Sequence, residues 1–181
     1  RVLFRSTVGE AHQSVDPSRR LYDVAATGEA WPVPEGMVKR ACAFGALATA
    51  AQLVGAAEAL RDAAVDYAKQ RTQFGRVIGS YQAIKHKLAD VHIAVELARP
   101  LVYGAALALA DYPDAGTRDV SAAKAAASEA GLLAARSALQ THGAIGFTQE
   151  HDLSLLLLRV QALRSAWGTP EEHRQIGRAH V

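Results

Sequence analysis

The sequence predicts an all-α protein, an up-down four-helix bundle with a short β-hairpin remnant at its N-terminus. Three observations carry that expectation. Half of the 181 residues are hydrophobic while only 6% are aromatic, and the abundance of alanine favours close-packed helices over a β-sandwich. From Glu35 onward the apolar residues recur at three- and four-residue spacing. The breaks in that rhythm, at 71–75, 111–116 and 142–146, each contain glycine or proline and suit short connections between antiparallel neighbours.

Residues 7–32 differ from the remainder. Asp16-Pro17-Ser18 is a turn signal, Arg20 to Val24 reads as a short strand, and Thr27-Gly28 ends it. This segment reads as the last hairpin of a β-rich domain lying mostly upstream, followed by a linker at Pro32 and Pro34. The helical domain spans 33–175. Its first helix runs from Glu35 to about Gln70, with Leu47, Ala50, Val54, Ala57, Ala64 and Ala68 on one face. The second runs from a Ser80 N-cap to Ala110, with Pro100 expected to bend it. The third covers Arg118 to Thr141, where Ala122, Ala126 and Ala130 allow close approach of a neighbour. The fourth covers Glu150 to Ser165, and Gly168-Thr169-Pro170 opens a short fifth.

The two ends look foreign. Arg1 to Ser6 can be encoded as CGT GTG CTC TTC CGA TCT, and the reverse complement of that string encodes Ile176 to His180 after a partial codon. The string resembles a sequencing-library adapter, so residues 1–6 and 176–181 are expected to be non-native and are set aside. Removing Arg1, Arg5 and Arg178 takes the formal charge from +2 to −1, too small to steer the protein to nucleic acid or anionic lipid. A lone cysteine, Cys42, excludes a disulfide framework and a Cys-based zinc site. Gln52, Glu58, Asp66 and Lys69 interrupt the richest apolar stretch, so no membrane span is expected. With no signal peptide in view, a cytoplasmic location is the expectation.

The usual chemistries of helical bundles find little footing. A di-iron centre needs Glu-x-x-His pairs, and His92-x-x-x-Glu96 supplies at most half a site, so no metal is expected. A nucleophile elbow is absent. The informative positions are the interhelical breaks. Arg71-x-Gln73-Phe74-Gly75 gathers a guanidinium, an amide and an aromatic ring at one helix end, a set able to grip a pyrophosphate and cover a flat ring. A polar helix terminus with Phe74 plugged into the core explains the same residues. Gln140-x-x-Gly143-Ala144-x-Gly146-Phe147 suits either close approach of a ligand to the main chain or a plain tight turn. In Trp167-Gly168-Thr169-Pro170-Glu171, Thr169 can cap the next helix and can also donate to a ligand oxygen.

In order along the chain, these segments resemble the acyl-CoA dehydrogenase family over roughly residues 14–175. Asp16-Pro17-Ser18-Arg19-Arg20 is similar to a D-P-T-R-R segment, Tyr67 to Gly75 to a Y-x-x-x-R-x-x-F-G motif, and Gln140 to Phe147 to a Q-x-x-G-G-x-G-F loop. Gly79 to Ile84 and Lys87 to Asp90 continue the match. The resemblance implies FAD-dependent α,β-desaturation of acyl-CoA thioesters by a dimer or tetramer, homomeric or heteromeric, with an electron-transfer flavoprotein as acceptor. It implies that Arg71 and Gln73 bind the FAD pyrophosphate of a neighbouring subunit with Phe74 beside it. It extends that contact to Gln140 and Gly143, and assigns a further FAD contact to Gly168 and Thr169. Ala144 departs from the second glycine of the loop, and Glu171 stands where glutamine is usual.

The largest departure concerns the base. In the family a glutamate before the G-T pair, or less often one on the first helix, removes the substrate α-proton. Those positions hold Trp167 and Gly45, and neither carries a proton-accepting carboxylate. The catalytic residue is therefore unknown. Three readings stay open: a non-catalytic partner in a heteromer, an active homo-oligomer with another acid, and a structural helical oligomerisation module without flavin.

Overall fold

The structure is a computed structural model describing residues 2–34, 36–111, 117–148 and 151–179, with the side chains of 2–6, 26–31 and 177–179 left undescribed. The order of elements is β1 (Val2–His12), β2 (Leu21–Pro32), α1 (Met37–Gln70), β3 (Thr72–Gln73), β4 (Arg76–Val77), α2 (Gln82–Asp111), α3 (Thr117–His142), α4 (Leu153–Ser165) and α5 (Pro170–Ala179). The expected all-α bundle with an N-terminal hairpin is what forms. Most of the 111–116 loop and the expected start of the fourth helix at Glu150 lie outside the described residues.

The bundle is built on an alanine seam. On α1, Ala43, Ala46, Ala50, Ala57, Ala64 and Ala68 are buried, and they face Ala123, Ala127, Ala130, Ala134 and Ala138 of α3. Both series repeat at the helical period, so each helix presents one stripe to the other. Small residues let the two backbones approach closely. A Cβ added to Gly131 would stand 3.2 Å from Leu53 Cδ2 and 3.5 Å from Val160 Cγ1, which marks where α1, α3 and α4 meet. Leu53, at that point, and Leu60, further along α1, are fully buried, each stabilising the fold by about 1.5–3 kcal/mol. Val91, Val95, Ala98, Val102 and Leu109 close the core from α2.

Three local expectations are revised. The predicted short strand is a longer one: β1 and β2 pair antiparallel from Val2↔Pro32 to His12↔Leu21, with register shifts between Phe4/Arg5 and Val8/Ala11. Ser80 does not cap α2; its hydroxyl donates to Val77 O at 2.7 Å within a 3₁₀ turn over Ile78–Ser80, and α2 begins after Tyr81. It then runs unbroken through Pro100. Finally, α1 and α2 are each long and apolar enough to cross a membrane by length and composition, contrary to the reading from unbroken apolar runs, although half of that stretch of α1 is buried inside the bundle.

The turn joining β1 to β2 docks on α4. Asp16 accepts from the Ser18 amide (3.0 Å) and hydroxyl (2.6 Å), and its other oxygen meets Arg159. Arg19 Nη1 donates to Ala162 O at 3.0 Å. Burial pushes the Asp16 carboxyl up, but Ser18 and Arg159 outweigh it and hold it below its ordinary value.

Candidate functional site

The end of α1 turns into a minimal hairpin. The Arg71 N–H donates to Tyr67 O at 2.9 Å, and the Ile78 N–H donates to Arg71 O at 2.8 Å. Between them Thr72↔Val77 and Gln73↔Arg76 pair. Phe74 (φ 52) and Gly75 (φ 79) form its tip, two successive left-handed residues as a type I′ turn requires. Tyr81 braces the hairpin from the head of α2: its hydroxyl donates to Gln73 O at 3.2 Å, and Arg76 lies over its ring at 4.0 Å from the centroid. The phenyl ring of Phe74 is 92% exposed, so it does not plug the core.

A second loop is brought against this hairpin. His142, the last residue of α3, stacks on Tyr67 of α1 with ring centroids 4.4 Å apart, and His151 meets its edge at 5.1 Å. His142 Nδ1 lies 2.8 Å from Ala138 O; a carbonyl only accepts, so Nδ1 carries the proton. Burial is the main cause that pushes this imidazole below its ordinary pKa, leaving it neutral. Lys87 of α2 reaches the Gln140 side-chain oxygen. The chain then reverses at Gly143 (φ 65), where a Cβ would meet nothing within 4 Å. The conformation calls for glycine, and the space over it is open.

The outcome is a cleft of about 530 Å³ lined by Arg71, Gln73, Phe74, Gln140 and Gly143 together with Tyr67 and Tyr81. A guanidinium, amides, an exposed aromatic ring and open main chain converge there. That set suits an anionic ligand with a flat ring. Sequence reasoning named the first five residues and gave no role to the two that position them, although Tyr67 and Tyr81 both stood in the quoted segments.

Gly168 and Thr169 lie elsewhere. Thr169 lines a separate cleft of about 250 Å³ with Gln161, Arg164 and Glu171. It caps α5 in a reciprocal box: the Glu172 N–H donates to Thr169 Oγ1 at 3.2 Å, and the Thr169 N–H donates to Glu172 Oε2 at 2.7 Å. These bonds hold the Glu172 carboxyl below its ordinary pKa. The preceding Trp167 is left-handed (φ 60), which costs a bulky residue about 1–2 kcal/mol. Its indole lies on Gly45 of α1. Thus the two positions at which the resemblance looks for a base are in contact with one another, and a cavity of about 320 Å³ lined by Trp167, Cys42, Ala46 and His173 adjoins them.

The fold and site define a helical-bundle domain with an open cleft where the 72–77 hairpin meets the turn after α3. Residues 36–181 match the family model described as acyl-CoA dehydrogenase, C-terminal domain, and the chain belongs to the acyl-CoA dehydrogenase family, a family of flavin-dependent oxidoreductases. It is 38% identical over 162 residues to acyl-CoA dehydrogenase IpdE2 of Mycobacterium tuberculosis, covering 88% of this chain and 47% of that protein. It superposes on butyryl-CoA dehydrogenase from Megasphaera elsdenii with TM-score 0.87 and 26% identity, over 97% of this chain and 48% of that one. The ChsE4-ChsE5 complex from Mycobacterium tuberculosis gives TM-score 0.86 and 26% identity, over 97% and 49%. The chain spans about half the length of these relatives.

Proposed function

We propose that this chain is the C-terminal part of an FAD-dependent acyl-CoA dehydrogenase subunit that lacks its own base and completes the flavin site of a neighbour. In this reading Arg71 and Gln73 grip the neighbour's pyrophosphate, Phe74 packs beside the cofactor, and Gln140 and Gly143 close over it. Gly168 and Thr169, the latter lining a different cleft, meet another FAD of the same assembly. When bound, the flavin supplies the two-electron acceptor for α,β-desaturation of an acyl-CoA thioester. The chain's own residues bind and orient; Trp167 and Gly45 offer no lone pair to the α-proton.

One observation supports the non-catalytic part of the reading: the Trp167 indole fills the space over Gly45, so the two positions at which the resemblance looks for a base hold an indole and a bare glycine in mutual contact. Ile93, Leu97, Leu101 and Leu107 form an exposed apolar stripe on α2, which supports assembly with a further chain. Val8, Leu21, Tyr22 and Val24 leave the hairpin uncovered, which supports reading residues 7–32 as the tail of a larger β-domain of the same protein.

The complete gene, expressed alone and together with adjacent dehydrogenase-like genes, tests the proposal by flavin absorbance and acyl-CoA-dependent dye reduction. Bound flavin and turnover are expected only from the co-expressed complex. Turnover by the protein alone overturns the non-catalytic reading, and absence of flavin from both preparations favours a purely structural module.

A further inference from the structure

Lys124 is fully buried on α3, and nothing in the proposed reaction uses it. Its Nζ lies 2.9 Å from Arg164 O, 3.1 Å from Gly168 O and 3.3 Å from Ser128 Oγ. An ammonium has three N–H groups and no acceptor. Three oxygens take all three, so no lone pair is left for chemistry. Two of them are main-chain carbonyls, one at the C-terminal end of α4 and one just beyond the Trp167 turn. A cation is favoured beside such free carbonyls, and Lys124 thereby pins both ends of the segment Arg164–Gly168.

A second tie starts from the same face of α3. Ser121 stands about one turn before Lys124, and its hydroxyl is 3.1 Å from His173 Nδ1, while His173 Nε2 is 3.0 Å from Trp167 O. The carbonyl can only accept, so Nε2 carries the proton and the Ser121 hydroxyl donates to Nδ1. Burial, with Lys124 nearby, pushes His173 below its ordinary pKa and keeps the imidazole in that neutral arrangement. Gly168 fits beneath the ring because it has no Cβ; one built there would stand 2.8 Å from His173 Nε2. The segment so tied contains the two consecutive left-handed residues Trp167 (φ 60) and Gly168 (φ 106), a conformation that persists only where the surroundings over-determine it.

We propose that Lys124, with Ser121 and His173, is a positioning residue that fixes the Trp167–Gly168 turn, holding the indole over Gly45 and Thr169 at the head of α5. Its consequence for flavin rests on the reading of Thr169 in the preceding section. The distinction from a merely structural buried lysine is locality. A structural role raises or lowers the stability of the whole bundle, whereas the brace acts on one turn.

The test is hydrogen–deuterium exchange with mass spectrometry on the complete protein, comparing wild type with Lys124→Met, which keeps the volume and removes the ammonium. Amides in peptides covering 166–173 are expected to exchange at least tenfold faster, with α1 and α2 unchanged and the far-ultraviolet helix signal retained. Unchanged exchange at 166–173 overturns the proposal. Should Lys124→Met fail to fold, Ser121→Ala reads the same turn: acceleration confined to 166–173 supports the brace, and none overturns it. Flavin content, measured on the co-expressed complex carrying wild type or the same variant, reads the other claim separately. Accelerated exchange with undiminished flavin leaves the brace standing and removes Thr169 from the flavin site.

Discussion

The indole of Trp167 lies across Gly45 so tightly that a Cβ on that glycine would fall 2.4 Å from two of its ring carbons. The residues are far apart in the chain, one within α1 and the other in the turn between α4 and α5, yet they share one space. Gly45→Ala is therefore expected to displace the ring or bend α1, and overpacking of this kind costs about 1–3 kcal/mol. Urea unfolding of the complete protein checks this. In the double variant Gly45→Ala/Trp167→Ala most of the loss attributable to the clash should vanish, because nothing is left to collide.

Arg71→Ala is expected to weaken flavin retention roughly ten- to a hundredfold, the equivalent of one charge-assisted hydrogen-bonded contact. The side chain is exposed, so the melting temperature of the flavin-free protein should stay unchanged. Equilibrium dialysis of the holo-assembly reads the first quantity and a thermal melt the second; equal flavin content in both proteins counts against the pyrophosphate assignment.

Phe74 makes a similar separation at the hairpin tip. With the ring 92% exposed, Phe74→Ser is expected to change the stability of the isolated subunit by less than about 0.5 kcal/mol. Assembly or flavin uptake should suffer measurably, by sedimentation velocity and by the visible absorbance of the purified complex.

Acidification should destabilise the fold through its buried histidines. His142 and His173 are buried, and burial lowers both from the ordinary value of 6.5. Below about pH 6.5 the unfolded chain takes up protons that the folded one refuses, so this contribution is whole above that value. It is lost as pH falls towards the depressed folded values. Thermal melts between pH 7.5 and 5.5 should show a smaller acid-induced drop in His142→Gln and His173→Gln than in wild type.

The long helices were legible because their apolar stripes repeat over many turns. Leu47, Ala50, Val54 and Ala57 announce α1 whatever surrounds them. The hairpin at 72–77 was not, since two-residue strands carry no periodicity and only Gly75 hints at the turn. Five cleft residues could be named from the interhelical breaks, but the distance between the Arg71 and Thr169 sites is a property of the bundle that no local motif encodes. Lys124 left a faint signal: it falls in phase with Val120 and Ala127 on the buried stripe, where a lysine is out of character. The Gly45–Trp167 contact left no periodic signal; only the resemblance, which makes the two positions alternative seats of one base, pointed to both.

The alanine seam between α1 and α3 has an evolutionary corollary. A methyl-lined contact tolerates almost no enlargement, so inheritable change is channelled away from the rods and into the segments that join them. Those segments hold the residues that line the cleft beside Arg71. A lineage can therefore retune what this domain grips, or retire its chemistry altogether, without renegotiating how it folds.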